Sequence, residues 1–336
     1  MTGTDDAAAH LPKNELHVHL EGTLEPAMLL TLAARNSVCV PWSSVDELER
    51  AYRFRDLQDF LNLLFRAAGV LRTAQDFHEL AYAYFTRAHI DGVRRAEVFF
   101  GPQTFLDASV SLSTQLDGVL QAADDAHRDL GIEAAVILTA QRHRTEAQAL
   151  ELLAMSEPWH TRLLGFGLGG AERGNPPSKF ERYFAQIRKR GLRTTIHAGE
   201  DGPADYVRQA LDVCRVDRID HGVSAVNDSD LVKRIRDEQI PLTMCPLSNQ
   251  RLNVTPDLGE HPLAELLRAG ALVTVNSDDP PYFGGYVNDN YRAVAAALDL
   301  TATEIAQLAR NSFTASFDDA ENIRRGLNAV AAAAGH

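Results

Sequence analysis

Eight short runs rich in Val, Ile, Leu, Thr and Phe recur along the 336-residue chain, at 15–20, 96–100, 134–139, 163–168, 193–197, 218–221, 240–245 and 272–276. Each has the length and make-up of a buried strand. Stretches with helical periodicity separate them, as at 112–130, 179–190, 205–214, 229–238 and 263–269. Gly131, Gly191 and Gly270 follow such stretches, as C-capping glycines do. Alternation of this kind predicts a parallel α/β fold, and eight strands are the number that closes a (β/α)8 TIM barrel. An open doubly wound sheet is the other arrangement it allows. The first crossover is too long for a plain unit: residues 24–92 hold four helical patterns, at 26–36, 44–51, 57–69 and 73–91. We read them as a helical insertion after the first strand that caps one barrel end. Residues 1–336 are then one barrel domain, with the alanine-rich 329–334 as a frayed helix or tail.

Composition excludes several classes of function. The chain is 45% hydrophobic and 24% charged, which supports a packed core and rules out disordered or collagen-like chains. Lys and Arg number 33 against 46 Asp and Glu, a net charge of −13. A surface this acidic repels phosphate backbones and anionic lipid, so neither nucleic acid nor a membrane is an expected partner. No apolar run approaches the roughly 20 residues of a membrane span. The opening MTGTDDAAAHLPKNE lacks the apolar stretch of a signal peptide. Cys39, Cys214 and Cys245 are too scattered for a disulfide framework, and no C-x-x-C pair exists. A reducing, cytoplasmic location is expected.

The polar residues gain meaning from the strands that carry them. His17 and His19 stand two apart on the first run, so on a strand both imidazoles face the same way. A lone H-x-H is equally compatible with two core or surface histidines. Position adds to it: His197 ends the fifth run, His221 ends the sixth, and Asp278 follows the eighth. These are C-terminal strand ends, where barrel active sites form. Three neutral imidazoles and a carboxylate suit one Zn²⁺ with room for a water, and the ion lowers the pKa of that water toward about 7. The expected ligands are His17, His19, His197 and Asp278. Glu200 follows His197 by three residues, after Gly199. It is either an acid facing the same pocket or a cap on the next helix. His221 is a candidate base or orienter of the water. Asp279, beside a ligand, is left free to hydrogen-bond substrate.

Five segments occur in order: LPKNELHVHLEGTLEP (11–26), IHAGE (196–200), RIDHG (218–222), CPLSN (245–249) and NSDDP (276–280). Together they resemble the adenosine/adenine deaminases of the amidohydrolase superfamily, over most of the chain. The resemblance implies a zinc barrel that hydrolytically removes ammonia from purine C6. It implies that Glu200 protonates the ring at N1, that His221 and Asp278 manage the water, and that Asp279 hydrogen-bonds N7. Gly170 aligns with a glycine whose backbone contacts the purine. SDDPPYFGGY (277–286), NPPSKF (175–180), DLQDF (56–60) and Glu21 resemble the adenine-specific branch. Nucleoside-acting members tend to carry Asp in place of Glu21, so a free base is the expected substrate and adenine to hypoxanthine the expected reaction.

The chain departs from that branch at two places. Gly169-Gly170-Ala171 stands where Asp-Ser-Ser is usual, and Gly101 and Phe105 stand within FFGPQTF where FFDPQTH is usual. Both departures fall at strand ends and are expected to open the pocket toward a larger 6-aminopurine: adenosine, 6-aminodeoxyfutalosine or an N6-substituted adenine. A metal phosphoesterase on the same barrel would want a second ion and basic phosphate-binding residues, and no Lys bridges the strand-end histidines. The H-x-E…P-C-x-x-C signature of the cysteine-ligated nucleobase deaminases is absent. Trp42, Tyr52, Phe54, Phe60 and Phe65 are either a lid over the substrate or, as such spacing more often means, helix core, and no role is assigned to them. The expected partners are a small-molecule purine and, at an exposed barrel edge, a second copy forming a homodimer.

Overall fold

The computed structural model describes residues 9–335. The reading of the first residues as no signal peptide lies mostly outside them. Eight strands form one sheet: β1 Lys13–His19, β2 Val93–Phe100, β3 Glu133–Gln141, β4 Gly165–Gly169, β5 Arg193–Ala198, β6 Arg218–His221, β7 Leu242–Met244 and β8 Val273–Val275. They pair in parallel and in sequence order from β1 to β8. A doubly wound sheet would reverse its order part-way, and this one does not. A bridge between Val18 and Asp278 brings the last strand back to the first. The His19 N–H donates to the Asp278 carbonyl at 2.9 Å, and the Asp278 N–H donates to the His17 carbonyl at 3.0 Å. The residue expected to ligate a metal thus also closes the barrel.

The central strands are buried on both faces: every residue of β4 and β6, and all of β5 after Arg193. One face lies against the barrel interior and the other under the surrounding helices, which explains the near-continuous apolar runs. At the barrel end opposite the site, the fully buried Arg218 donates to Glu97 at 2.6 Å and to the Leu16 carbonyl at 3.2 Å. Each interior charge there has a partner, as burial requires.

Four helices fill the first crossover, at Pro26–Arg35, Val45–Ala51, Leu57–Ala68 and Ala74–Ile90. Ser44, Asp56 and Thr73 cap the last three through their side chains, satisfying backbone N–H groups that have no partner within the helix. Helix Leu57–Ala68 buries Leu57, Phe60, Leu61, Leu64, Ala67 and Ala68. Helix Ala74–Ile90 packs along helix Leu112–Leu130. Two expected helices are divided. The 179–190 pattern begins as a 3-10 turn at Pro177–Phe180 before helix Glu181–Lys189, because Pro176 and Pro177 offer no N–H to an α-helical ladder. The 205–214 pattern runs as Ala204–Gln209 and then widens into a π turn at Ala210–Cys214. The alanine-rich end completes a regular helix, Ala320–Ala334. Among the described residues no helix is long and apolar enough to cross a membrane.

Candidate active site

Strand alternation turns His17 and His19 toward the barrel axis, and parallel pairing brings the ends of β5, β6 and β8 beside them. The His19 and His197 Nε2 atoms lie 2.9 Å apart. Asp278 Oδ1 stands 3.3 Å from His17 Nε2 and 3.4 Å from His19 Nε2. Ligand atoms at about 2.0–2.1 Å from one tetrahedral ion are about 3.3 Å apart; the two Asp278 spacings match this and the His19–His197 spacing is shorter. His17 Nε2 is buried and has no hydrogen-bond partner, as expected of an atom reserved for a metal. Donor atoms of His17, His197, His221 and Asp278 all lie within 4.8 Å of one another, as do those of His19, Asp278 and Asp279. Of the four expected ligands, His17, His197 and Asp278 share one cluster with His221, and His19 adjoins it through Asp278 and His197. His221 and Asp278 have φ of 63° and 64°, a left-handed conformation that non-glycine residues adopt at a cost of about 1–3 kcal/mol and that clusters at functional sites.

The imidazoles of His17, His197 and His221 each have a partner on the other nitrogen. His17 Nδ1 lies 3.1 Å from the Thr243 carbonyl and 3.0 Å from its hydroxyl. His197 Nδ1 faces Asp220 at 3.2 Å, and Asp220 in turn accepts from Thr195 at 2.6 Å and Thr243 at 3.1 Å. Such partners fix the tautomer and leave Nε2 for the centre. Asn249 lies 3.4 Å from His221 Nδ1 and 3.1 Å from His261 Nε2. Sequence reasoning assigned no role to Asp220 or Asn249. Their only signal was membership of RIDHG and CPLSN, because their contacts are made across strands.

Glu200 is buried and faces the site, its Oε1 3.7 Å from His221 Nε2. It does not cap the next helix, which starts at Ala204 with Pro203 as its N-cap. Burial raises the Glu200 carboxyl well above its usual range, and the negative Asp278 and Glu172 add to the effect. Asp279 is likewise raised well above its range by burial and by Asp278. Asp278 goes the other way. Burial works against its charge, but His17, His221 and His19 outweigh it and hold the carboxyl well below its range. Burial lowers His221 and His197, and brings His19 down to about 3, with neighbouring histidines contributing. Neutral imidazoles are the form that binds metal.

These residues face one cleft, partly enclosed by the barrel rim and helix Leu57–Ala68. His19, Glu21, His197, Glu200, His221, Asp278 and Asp279 are in its wall, with Gly101, Gly169 and Gly170 opposite an apolar flank from helix Leu57–Ala68. That flank includes Phe60 and Phe65, which the sequence left as either lid or helix core. Tyr52, Phe54 and Trp42 do not line it. Glu21 Oε1 accepts the Gly101 N–H at 3.1 Å, its Oε2 is buried without a partner, and burial pushes its pKa up to about 7. Asp279 lies over Gly22, where a Cβ would come within 1.6 Å of Oδ1; the glycine of LEGT is required for this approach. One expectation needs correction. Phe105 is not at the pocket but packs into the core, 4.9 Å from the Phe77 ring and 5.8 Å from Phe100. It occupies the short helix after β2, which turns it inward.

The family model for adenosine deaminase matches residues 12–333. The chain belongs to the adenosine deaminase family. Members are metal-dependent hydrolases acting on C–N bonds, and the histidine–aspartate cluster supplies the donors. The chain is 48% identical over 317 residues to an adenine deaminase of Rhodopseudomonas palustris, covering 94% of this chain and 92% of that one. It is 51% identical over 310 residues to an adenine deaminase of Ralstonia pickettii, covering 91% and 90%. Among solved structures, adenine deaminase from Arthrobacter aurescens superposes with a TM-score of 0.94 at 44% identity, covering 96% of this chain and 98% of that one. A zinc-bound amidohydrolase from Burkholderia ambifaria superposes with a TM-score of 0.91 at 25% identity, covering 100% and 94%.

Proposed function

We propose that this adenosine deaminase family member hydrolyses adenine to hypoxanthine and ammonia with one Zn²⁺ per chain, held by His17, His19, His197 and Asp278. The observation that carries the reading is the buried Glu200, facing His221 and Asp278 across one cleft beside the ligand cluster. When bound there, the ion supplies a water acidic enough to serve as nucleophile near neutral pH.

The chain's own residues do the rest. Glu200, whose carboxyl burial pushes well above its usual range, gives a proton to N1 and so draws electron density from C6. His221 and Asp278 take the proton that the water releases as its oxygen bonds to C6. That proton passes to the 6-amino group, the C6–N6 bond breaks and ammonia leaves. The remaining hydroxyl proton returns to Glu200 as C6–O becomes a carbonyl, and N1 keeps its hydrogen. Asp279 in its acid form donates to N7, which can only accept. Gly170 offers backbone to the ring, and Glu21 meets the far side of the base. The apolar flank of Leu57, Phe60, Leu61, Leu64 and Phe65 suits a flat base and offers no partner for sugar hydroxyls.

A second reading is favoured by one observation: Gly101, Gly169 and Gly170 put no side chains into the cleft, which leaves space for a larger 6-aminopurine. A kinetic panel of adenine, adenosine, 6-aminodeoxyfutalosine and N6-methyladenine decides between them. The highest kcat/KM is expected with adenine, and preference for any of the others by tenfold or more overturns the free-base assignment.

A further inference from the structure

Glu172 lies in the loop after β4, fully buried, and binds the loop that carries Glu200. Its Oε1 accepts the N–H of Gly199 at 2.7 Å. Its Oε2 accepts those of Glu200, Asp201 and Gly202 at 2.9, 3.0 and 2.9 Å. Four consecutive backbone N–H groups converging on one point make an anion-binding concavity, here filled by a carboxylate of the same chain. Two glycines make it possible. Gly199 has φ of 74°, and a Cβ on Gly202 would stand 2.6 Å from the Glu172 carboxyl. The same loop is braced from below by Arg142, which is fully buried. Its guanidinium donates to the His197 carbonyl and, at 3.0 and 2.7 Å, to the Asn175 carbonyl. Lys179 donates to the Arg142 carbonyl and to Asn175 Oδ1, both at 2.9 Å. The NPPSKF segment thus belongs to the framework that holds the end of β5.

We infer that Glu172 is a positioning residue for Glu200: by clamping the N–H groups of residues 199–202 it sets where the Glu200 carboxyl stands in the cleft. The loop is otherwise held at its Gly199 carbonyl, which accepts the Ser224 N–H at 2.9 Å, and at its Asp201 carbonyl, which accepts from Arg173 at 3.2 Å. The N–H groups of 199–202 depend on Glu172, and a proton donor must lie within about 2.6–3.2 Å of its acceptor. A displacement of about 1 Å in a catalytic group can cost about 10²-fold in rate. Glu172 touches no substrate in this account, so its loss acts on the chemical step and leaves purine binding and the ligand cluster in place. The inference rests on the deaminase reading of the cleft.

The test is Glu172→Gln in the zinc-loaded protein. The amide is isosteric but turns an N–H donor against the loop's own donors. A fall in kcat of about a hundredfold is expected, with KM within about threefold and zinc content unchanged. Amide hydrogen exchange of residues 199–202 should accelerate in parallel. Gly202→Ala is the second variant, because its Cβ pushes the carboxylate out of the clamp without removing it; a fall in kcat of about tenfold at constant KM is expected. If Glu172→Gln does not fold, Gly202→Ala decides alone. A kcat within about twofold of the parent despite faster exchange overturns the inference, as does a parallel loss of kcat, KM and Tm. If the parent protein turns over no 6-aminopurine, the deaminase reading fails separately. Exchange at 199–202 still reports on the clamp, and exchange unchanged by Glu172→Gln overturns it.

Discussion

Two adjacent carboxyl groups, Asp278 and Asp279, are pushed in opposite directions by their surroundings. Burial works against the charge of Asp278, but three imidazoles hold its carboxyl well below the usual range, whereas burial and the neighbouring Asp278 raise Asp279 well above it. A pair separated in this way divides acid and base roles between neighbours. Glu200 has the environment of an acid, and its replacement separates chemistry from metal binding. Glu200→Gln should retain zinc by elemental analysis and lose kcat by about 10³-fold, within the range of general acid catalysis; His19→Ala should lose the zinc itself. Retained turnover in the first or retained metal in the second would remove that residue from its role. Period-two alternation and strand ends already placed His17, His19, His197, His221 and Asp278 on one rim in the sequence, with Glu200 left as pocket acid or helix cap. The sequence did not show Asp220, Asn249 or Glu172. Those act through partners on other strands and loops, and no local spacing encodes such contacts.

At the scale of elements, helix Leu57–Ala68 both closes the barrel end and forms the apolar flank of the cleft. Phe60 is buried against Phe283 at 4.7 Å and Phe54 at 5.3 Å between ring centroids. Phe60→Ala should therefore lower stability by about 3–5 kcal/mol, measured by denaturant unfolding. Phe65 is half-buried on the same flank. Phe65→Ala should raise KM severalfold with little change in Tm, and the reverse pattern would show that the helix does not border the substrate. Helix Ala302–Thr314 carries a pH signature. Thr301 and Glu304 form a capping box, and Glu304 also accepts from Arg268 at 2.6 Å. The Arg268 hydrogen bond, followed by the cap, lowers the Glu304 pKa to about 2. An unfolded glutamate titrates near about 4.3. Because the folded value is depressed, the stability this group contributes is present above about pH 4.3 and is lost as pH falls toward 2. Glu304→Gln should be less stable than the parent at neutral pH, and the difference should shrink between about pH 4 and pH 2. A constant difference in urea midpoint over that window contradicts the assignment. Helix boundaries here were legible from apolar spacing and caps. The divided helices were not, since a π turn and a proline-led 3-10 turn leave the apolar pattern nearly intact.

For the molecule as a whole, eight strand runs allowed a closed barrel or an open doubly wound sheet, and the unbroken β1 to β8 order decides for the barrel. The closing contact was not visible: Asp278 bridges to Val18, so the last strand joins the first through a site residue. This joins metal binding to stability. A metal that binds only the folded state stabilises it in proportion to its affinity. Chelation should abolish turnover and lower Tm, and added zinc should restore both; a Tm indifferent to chelator would place the metal elsewhere. The net charge of −13 disfavours phosphate-bearing ligands yet leaves a neutral nucleobase free to enter. Glu200, Asp278 and Asp279 are themselves part of that acidity. The most direct measurement of the central claim is adenine turnover by the zinc-loaded protein in oxygen-18 water, followed by mass spectrometry and ammonia assay. Hypoxanthine carrying one heavy oxygen, with one ammonia released per purine, is the predicted result. Absence of an oxygen-labelled product from adenine and from every other 6-aminopurine would contradict it.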